Sequence, residues 1–303
     1  MRYYLIIILV ALGMSGMNAQ QKTYKETKSL TKELECKAGD LLSITGQRTF
    51  ITIKTWDKPS IKATIEVSSK YSDQAQAQVD LEKIDLVFTK KKNEIIYSNA
   101  MVIKSAADKP KSSLRVDLEL MVPEFIKINS TNDFGKINLE GNITRIESYS
   151  KFTGVTVNNC NGDLWINSKY GDLSIVDATG DIDIESDKSN VTLKDVSGPI
   201  KAQIKYGEVD LFYNGVKDNY KIFTQYSPIK LHIPAELERM IDLSCYQCQI
   251  QTHDGIQLIH ESMDDNKHKG TIQSKGSSSK AAMITSDLED IHIFLNNFQA
   301  KSN

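Results

Sequence analysis

The stretch YGDLSIVDATGDIDIES, Tyr170 to Ser186, decides the fold, because KSNVTLKDVSGPIKAQI, Lys188 to Ile204, restates its pattern 18 residues later. Working outward, a small residue recurs at Gly135, Thr153, Gly171, Ser189 and Gly207, again in steps of 18. Two and four positions after each come apolar residues: Ile137/Leu139, Val155/Val157, Leu173/Ile175, Val191/Leu193 and Val209/Leu211. Alternation with period two describes a β-strand with one buried face. The small residue is expected where the chain turns tightly. A second column, Thr144, Gly162, Gly180 and Gly198, starts a second strand in each repeat, with Ile146, Leu164/Ile166, Ile182/Ile184 and Ile200/Ala202 facing inward.

A unit of two strands and two turns cannot bury its inner face alone. Stacking successive units buries a continuous core, which predicts an all-β parallel β-solenoid whose coils rise by about 4.8 Å. Leu139, Cys160, Ala178 and Val196 read as one core file. Phe134, Phe152, Tyr170, Lys188 and Tyr206 precede the small residues. They read as an aromatic stack adding ring contacts to the core at a corner, the alternative being a ladder for stacking sugars. The pattern continues at Tyr226–Leu231 and Gln247–Ile250, and the run Leu288–Ile293 reads as the closing strand.

The remaining chain divides around this block. Residues 1–19 combine Arg2, a short apolar run from Leu5 to Leu12 and small residues ending at Ala19, and predict a cleaved signal peptide. Residues 20–125 alternate without the strict period and predict a strand-rich segment or capping coils. Within it, Tyr71 to Leu81 fits a short helix or a loop. The solenoid is assigned to residues 126–296 and a tail to 297–303.

Composition narrows the function classes. After signal removal 36 basic residues face 39 acidic ones, which argues against a nucleic-acid partner. No later stretch is long and apolar enough for an integral membrane segment. Cys245-x-x-Cys248 sits at the end of a strand pattern rather than at a helix N-terminus and lacks a second pair, so it reads as structural thiols or a local disulfide. The outward acids Asp163, Asp181, Asp172 and Glu208 form stripes along turns rather than a pair flanking a bond. The histidines His232, His253, His260, His268 and His292 show no ligand spacing. No catalytic, cofactor-binding or metal-ligating residue is therefore assigned.

Taken together, Gly39–Trp56 (GDLLSITGQRTFITIKTW), Ser60–Ala63, Met121–Pro123 and the repeated small-x-apolar-x-apolar coils resemble the "putative adhesin" family of bacterial envelope proteins, over Leu34 to Ile293. The resemblance implies an exported, periplasmic or surface protein with repetitive parallel β-structure and no catalytic residues. The expected function is a non-catalytic binding or scaffold module for an envelope protein or polysaccharide. The alternatives are a carbohydrate-active enzyme on the same fold and a partner in envelope-stress signalling.

Overall fold

A computed structural model describes residues 22–213, 219–274 and 279–296. The expected signal peptide at 1–19, the expected tail at 297–303 and residues 214–218 lie outside the described residues.

The chain is all-β, with a long, mostly parallel sheet. Among the described residues the one α-helix, Gln74–Leu81, is N-capped by Asp73, whose Oδ1 accepts from the Gln76 N–H at 2.7 Å. Between residues 127 and 233 the 18-residue period becomes two parallel ladders. In one, Ile137/Leu139 pair with Val155/Val157, which pair in turn with Leu173/Ile175, Val191/Leu193, Val209/Leu211 and Ile229/Leu231. In the other, Ile146, Leu164, Ile182, Ile200 and Tyr220 stand side by side. Their apolar faces meet in one core cluster that runs from Cys36 to Ile293, and Val122, Ile126 and Ile128 are all part of it. One file needs correction. Cys160 is buried beside Ala178 and Val196, whereas Leu139 pairs with Val157 one file away.

The corner chemistry also differs from the sequence expectation. The residue with left-handed backbone is the one before the small column: Phe134, Phe152, Tyr170, Lys188, Tyr206 and Tyr226 have φ between 51° and 63°. Gly171 and Gly207 do not have left-handed φ. They are small because the stack leaves no room: a Cβ at Gly207 would lie 1.9 Å from the Ser189 carbonyl oxygen. Where the column carries a hydroxyl, the side chain is used within the stack. Ser189 Oγ accepts from the Gly171 N–H at 3.0 Å, and Ser227 Oγ from the Gly207 N–H at 3.1 Å.

Both ends depart from sequence order. At the N-terminal end, strands Leu41–Gln47 and Thr49–Trp56 lie between the Lys127–Glu140 strand and the later strands Glu94–Met101 and Ser113–Pro123. At the C-terminal end, Lys280–Asp287 lies between Tyr220–Gln225 and Met240–Tyr246, and Ile291–Leu295 between Ile229–Ile233 and Ile250–Thr252. The run Leu288–Ile293 therefore leads into an interior strand rather than a closing one. Spacing alone could not reveal this, because Ile250 and Ile291 present the same alternation to the column.

Antiparallel strands finish both N-terminal ladders and one of the two C-terminal ladders, the other ending on the parallel strand Ile250–Thr252. Ile84–Lys91, Ser60–Tyr71 and Tyr24–Glu35 do this at one end, Lys267–Ile272 and Leu258–Asp264 at the other. The two outermost N-terminal strands also seal each other. Lys32 Nζ donates to Phe88 O at 2.8 Å, Lys28 Nζ to Ile84 O at 3.3 Å, and Lys90 Nζ to Glu35 O at 3.0 Å. These bonds occupy carbonyls that an exposed edge would otherwise offer to another chain.

Candidate interaction surface

Of the outward acids, Asp163, Asp172 and Glu208 are tied into the stack. Asp163 Oδ1 accepts from the Asp181 N–H at 3.3 Å, and Asp172 Oδ1 from the Asn190 N–H at 3.0 Å. Asn190 Oδ1 accepts from the Glu208 N–H at 3.0 Å, and the Glu208 carboxylate pairs with Lys230. Each contact reaches one repeat along, and the side chains of Asp163, Asp172 and Asn190 satisfy backbone donors at the turns.

The strongly shifted titratable groups lie in the interior. Burial pushes the thiols of Cys36 and Cys160 up to about 11, and burial also raises the Tyr97 phenol. Burial pushes the Asp80 carboxyl upward too. Hydrogen bonds from Ser112, Lys83 and the backbone of Lys111 and Ser112 outweigh it and hold the group at about 2. That network fixes the end of the helix to the 111–112 loop.

The histidines sit among rings. His232 stacks on Phe212 at 4.2 Å and contacts Asp210 through Nε2 at 2.9 Å, and His253 stacks on Phe294 at 4.5 Å. His268 is buried, with Nδ1 accepting from the Ile250 N–H at 3.0 Å and Nε2 contacting Glu261 at 2.8 Å. Among the described residues no three His, Cys, Asp or Glu side chains are gathered as a metal site would require.

Cys245 and Cys248 form a disulfide at a corner. Following the ladder, Cys245 occupies the file of Ser150, Ser168, Ser186, Ile204, Thr224 and Ser286. In that file Ser168 Oγ donates to Gly171 O at 2.8 Å and Ser286 Oγ to Glu289 O at 2.5 Å, each three residues on. The outermost repeat thus replaces a corner hydrogen bond with a covalent one across the same three-residue step.

The aromatic file is on the surface, not in the core. Phe134, Phe152, Tyr170, Tyr206 and Tyr226 are between 41 and 52% exposed. Phe134, Phe152 and Tyr170 stack at 4.9 and 4.8 Å with planes 7° and 13° apart, and Tyr206 stacks on Tyr226 at 5.0 Å and 4°. Lys188 fills the missing place, its Nζ 5.2 Å from the Tyr170 ring and 6.0 Å from that of Tyr206. The Arg48 guanidinium covers the Phe134 end at 5.8 Å. A sugar stacks on a ring face, and from Phe134 to Tyr206 those faces are turned to one another and to cations. The file therefore presents ring edges to solvent. Its energetic role is local: a left-handed non-glycine residue costs about 1–2 kcal/mol, and each ring pair returns about 0.5–1.5 kcal/mol.

A different apolar patch lies on the outer face of the other ladder. Phe223 is 39% and Met283 56% exposed, and with Lys201, Gln203, Lys221 and Thr285 they line a depression of about 410 Å³. Phe223 also walls a neighbouring groove with Tyr246 and Leu288. Sequence reading missed these residues. The available signal was an apolar side chain out of phase: Tyr220, Ile222, Ala282 and Ile284 point inward, so Phe223 and Met283 must point out.

Solved structures described as "putative adhesins" resemble this chain. One from Bacteroides fragilis is 10% identical, with 88% of this chain and 97% of that one covered and a TM-score of 0.45. One from Parabacteroides distasonis is 10% identical over 88 and 97%, with a TM-score of 0.42. A "putative cell adhesion protein" from Clostridium sporogenes is 12% identical over 89 and 100%, with a TM-score of 0.25. No family model and no curated protein matches the sequence. No helix among the described residues is long and apolar enough to cross a membrane.

Proposed function

We propose that the chain is a non-catalytic, exported β-solenoid that works as an adhesin-like binding or scaffold module of a bacterial envelope. One observation carries this reading: the groups whose acidity the fold shifts most, Cys36, Asp80, Tyr97 and Cys160, are buried in the framework, and the turn carboxylates of Asp163 and Asp172 accept from backbone donors one repeat away. General acid–base chemistry needs such groups converging on a cleft with free lone pairs. Two long, hydrogen-bonded faces instead offer extended contact area at fixed spacing.

The test uses the exported chain on a panel of neutral and acidic polysaccharides and on envelope-protein fractions. Saturable binding without new reducing ends or unsaturated sugars is the expected result. Turnover of any polysaccharide would replace this reading with a carbohydrate-active enzyme. Export is tested separately: the N-terminus of protein recovered outside the cytoplasm should map at or near Gln20, and an intact Met1 in a membrane fraction would overturn it.

A further inference from the structure

Within that binding reading, we propose that the Phe223–Met283 patch docks an extended segment of a partner protein that carries an apolar anchor beside a carboxylate. The patch is built from three strands distant in sequence, Ile200–Lys205, Tyr220–Gln225 and Lys280–Asp287, and exists only once the last of them is inserted. It lies in mid-sheet, where backbone N–H and C=O groups are already paired, so an incoming segment engages side chains rather than adding a strand.

The chemistry of the occupant follows from the lining. Phe223 and Met283 supply the apolar contact. Lys221 lies between Lys201 and Met283 in the ladder, and among the described residues it has no carboxylate within ion-pair reach. Lys201 is held by Asp183 at 3.5 Å, and Asp242, on the far side of Met283, accepts from Thr271 at 3.0 Å. Lys221 is therefore the cation left to meet an acidic group. The depression is an open trough, which suits one side chain and not the enclosure of an acyl chain.

A second apolar pair sets the direction. Tyr149 and Trp165 pack at 4.7 Å on the same outer face. Trp165 is four strands from Met283 in one file, as Tyr149 is from Phe223 in the next. Four strand spacings are about 19 Å, a length covered by about six extended residues. Glu185 lies nearer the Trp165 end and Lys221 beside Met283, with the Asp183–Lys201 pair between them. The fitting segment runs along the ladder with two apolar anchors about six residues apart, a basic residue near the first and an acidic one near the second.

The test is a titration of the whole chain, labelled with ¹³C at the methionine methyls, with a synthetic peptide of that pattern and with its charge-exchanged counterpart. The patterned peptide should move the Met283 methyl signal saturably and at least ten times more tightly than the counterpart. Lys221→Glu should reverse the preference, and Phe223→Ser should weaken binding at least tenfold. Should Phe223→Ser fail to fold, Lys221→Glu, on an exposed side chain, still decides the matter. Equal binding of both peptides, no saturable shift, or a stronger Met283 shift with phosphatidylglycerol vesicles or polysaccharide would overturn the proposal. Polysaccharide turnover would sink the broader non-catalytic reading and leave the peptide titration to be judged on its own result.

Discussion

The middle of the molecule and its two ends solve the same packing problem differently. From 145 to 212 each strand pairs with the strand one repeat before and one repeat after it, so a local rule applied repeatedly suffices. At the ends the rule would leave an open edge. There the chain places strands out of order, covers all but one of the ladder ends with antiparallel strands, and adds side-chain or covalent closures: the lysine-to-carbonyl bonds at one end and the Cys245–Cys248 bond at the other. The regular region depends on inward methyl groups and small corners; the ends depend on polar and covalent fastening.

The largest expected effect lies in the middle. Ile184 is fully buried between Ile166 and Ala202, so Ile184→Asp buries a charge with no partner and should cost about 3–5 kcal/mol in urea unfolding. Asp183→Ser, at the next residue but on the outer face, should cost under about 1 kcal/mol, its ion pair with Lys201 being exposed. Equal costs would mean that the two faces have been assigned wrongly.

At the C-terminal end, replacing Cys245 and Cys248 by serine should cost about 2 kcal/mol, the chain-entropy value for so short a loop. The loss should be local. Hydrogen exchange should quicken at Ile250, whose N–H is held by His268, before it quickens at Leu211 in the middle. Uniform quickening would argue that the ends and the middle open as one unit.

The N-terminal end should be the more acid-sensitive. Because Asp80 titrates at about 2 in the folded chain against 3.8 for an ordinary aspartate, its contribution is complete above about pH 4. It fades as pH falls through about 2, where the folded carboxyl takes up its proton. Asp80→Asn should lower stability at neutral pH and flatten this segment of the stability–pH curve. An unchanged slope between pH 4 and 2 would remove Asp80 from the account.

The smallest effect concerns the gap in the ring file. Lys188→Tyr would join Tyr170 to Tyr206 through a ring and should stabilise the middle by about 0.5–1.5 kcal/mol after the lost cation contacts are discounted. A melting temperature that falls would show that Lys188 holds the file together better than a ring can.

The same contrast explains what was legible in the sequence. The inward residues of the middle could be read because Leu173/Ile175 and Val191/Leu193 are translations of one another. Strand order at the ends could not, since alternation marks which residues are buried but not which strand lies beside them. The left-handed corners were obscured because that conformation is usually signalled by glycine or asparagine, and here rings and a lysine adopt it. The disulfide could have been read more fully: aligned on the period, Cys245 and Cys248 take the places of Ser168 and Gly171. The apolar patch was hidden because its parts lie some sixty residues apart and join only across the inserted strand.

The out-of-order ends have a consequence for how such proteins vary. Each end is knit together from its own segments and meets the interior through a single ordinary repeat. An 18-residue unit could therefore be gained or lost between residues 145 and 205 without disturbing either closure. Rod length is then a quantity that unequal recombination can change in fixed increments of about 4.8 Å per ladder, while the chemistry of the tips is inherited unchanged.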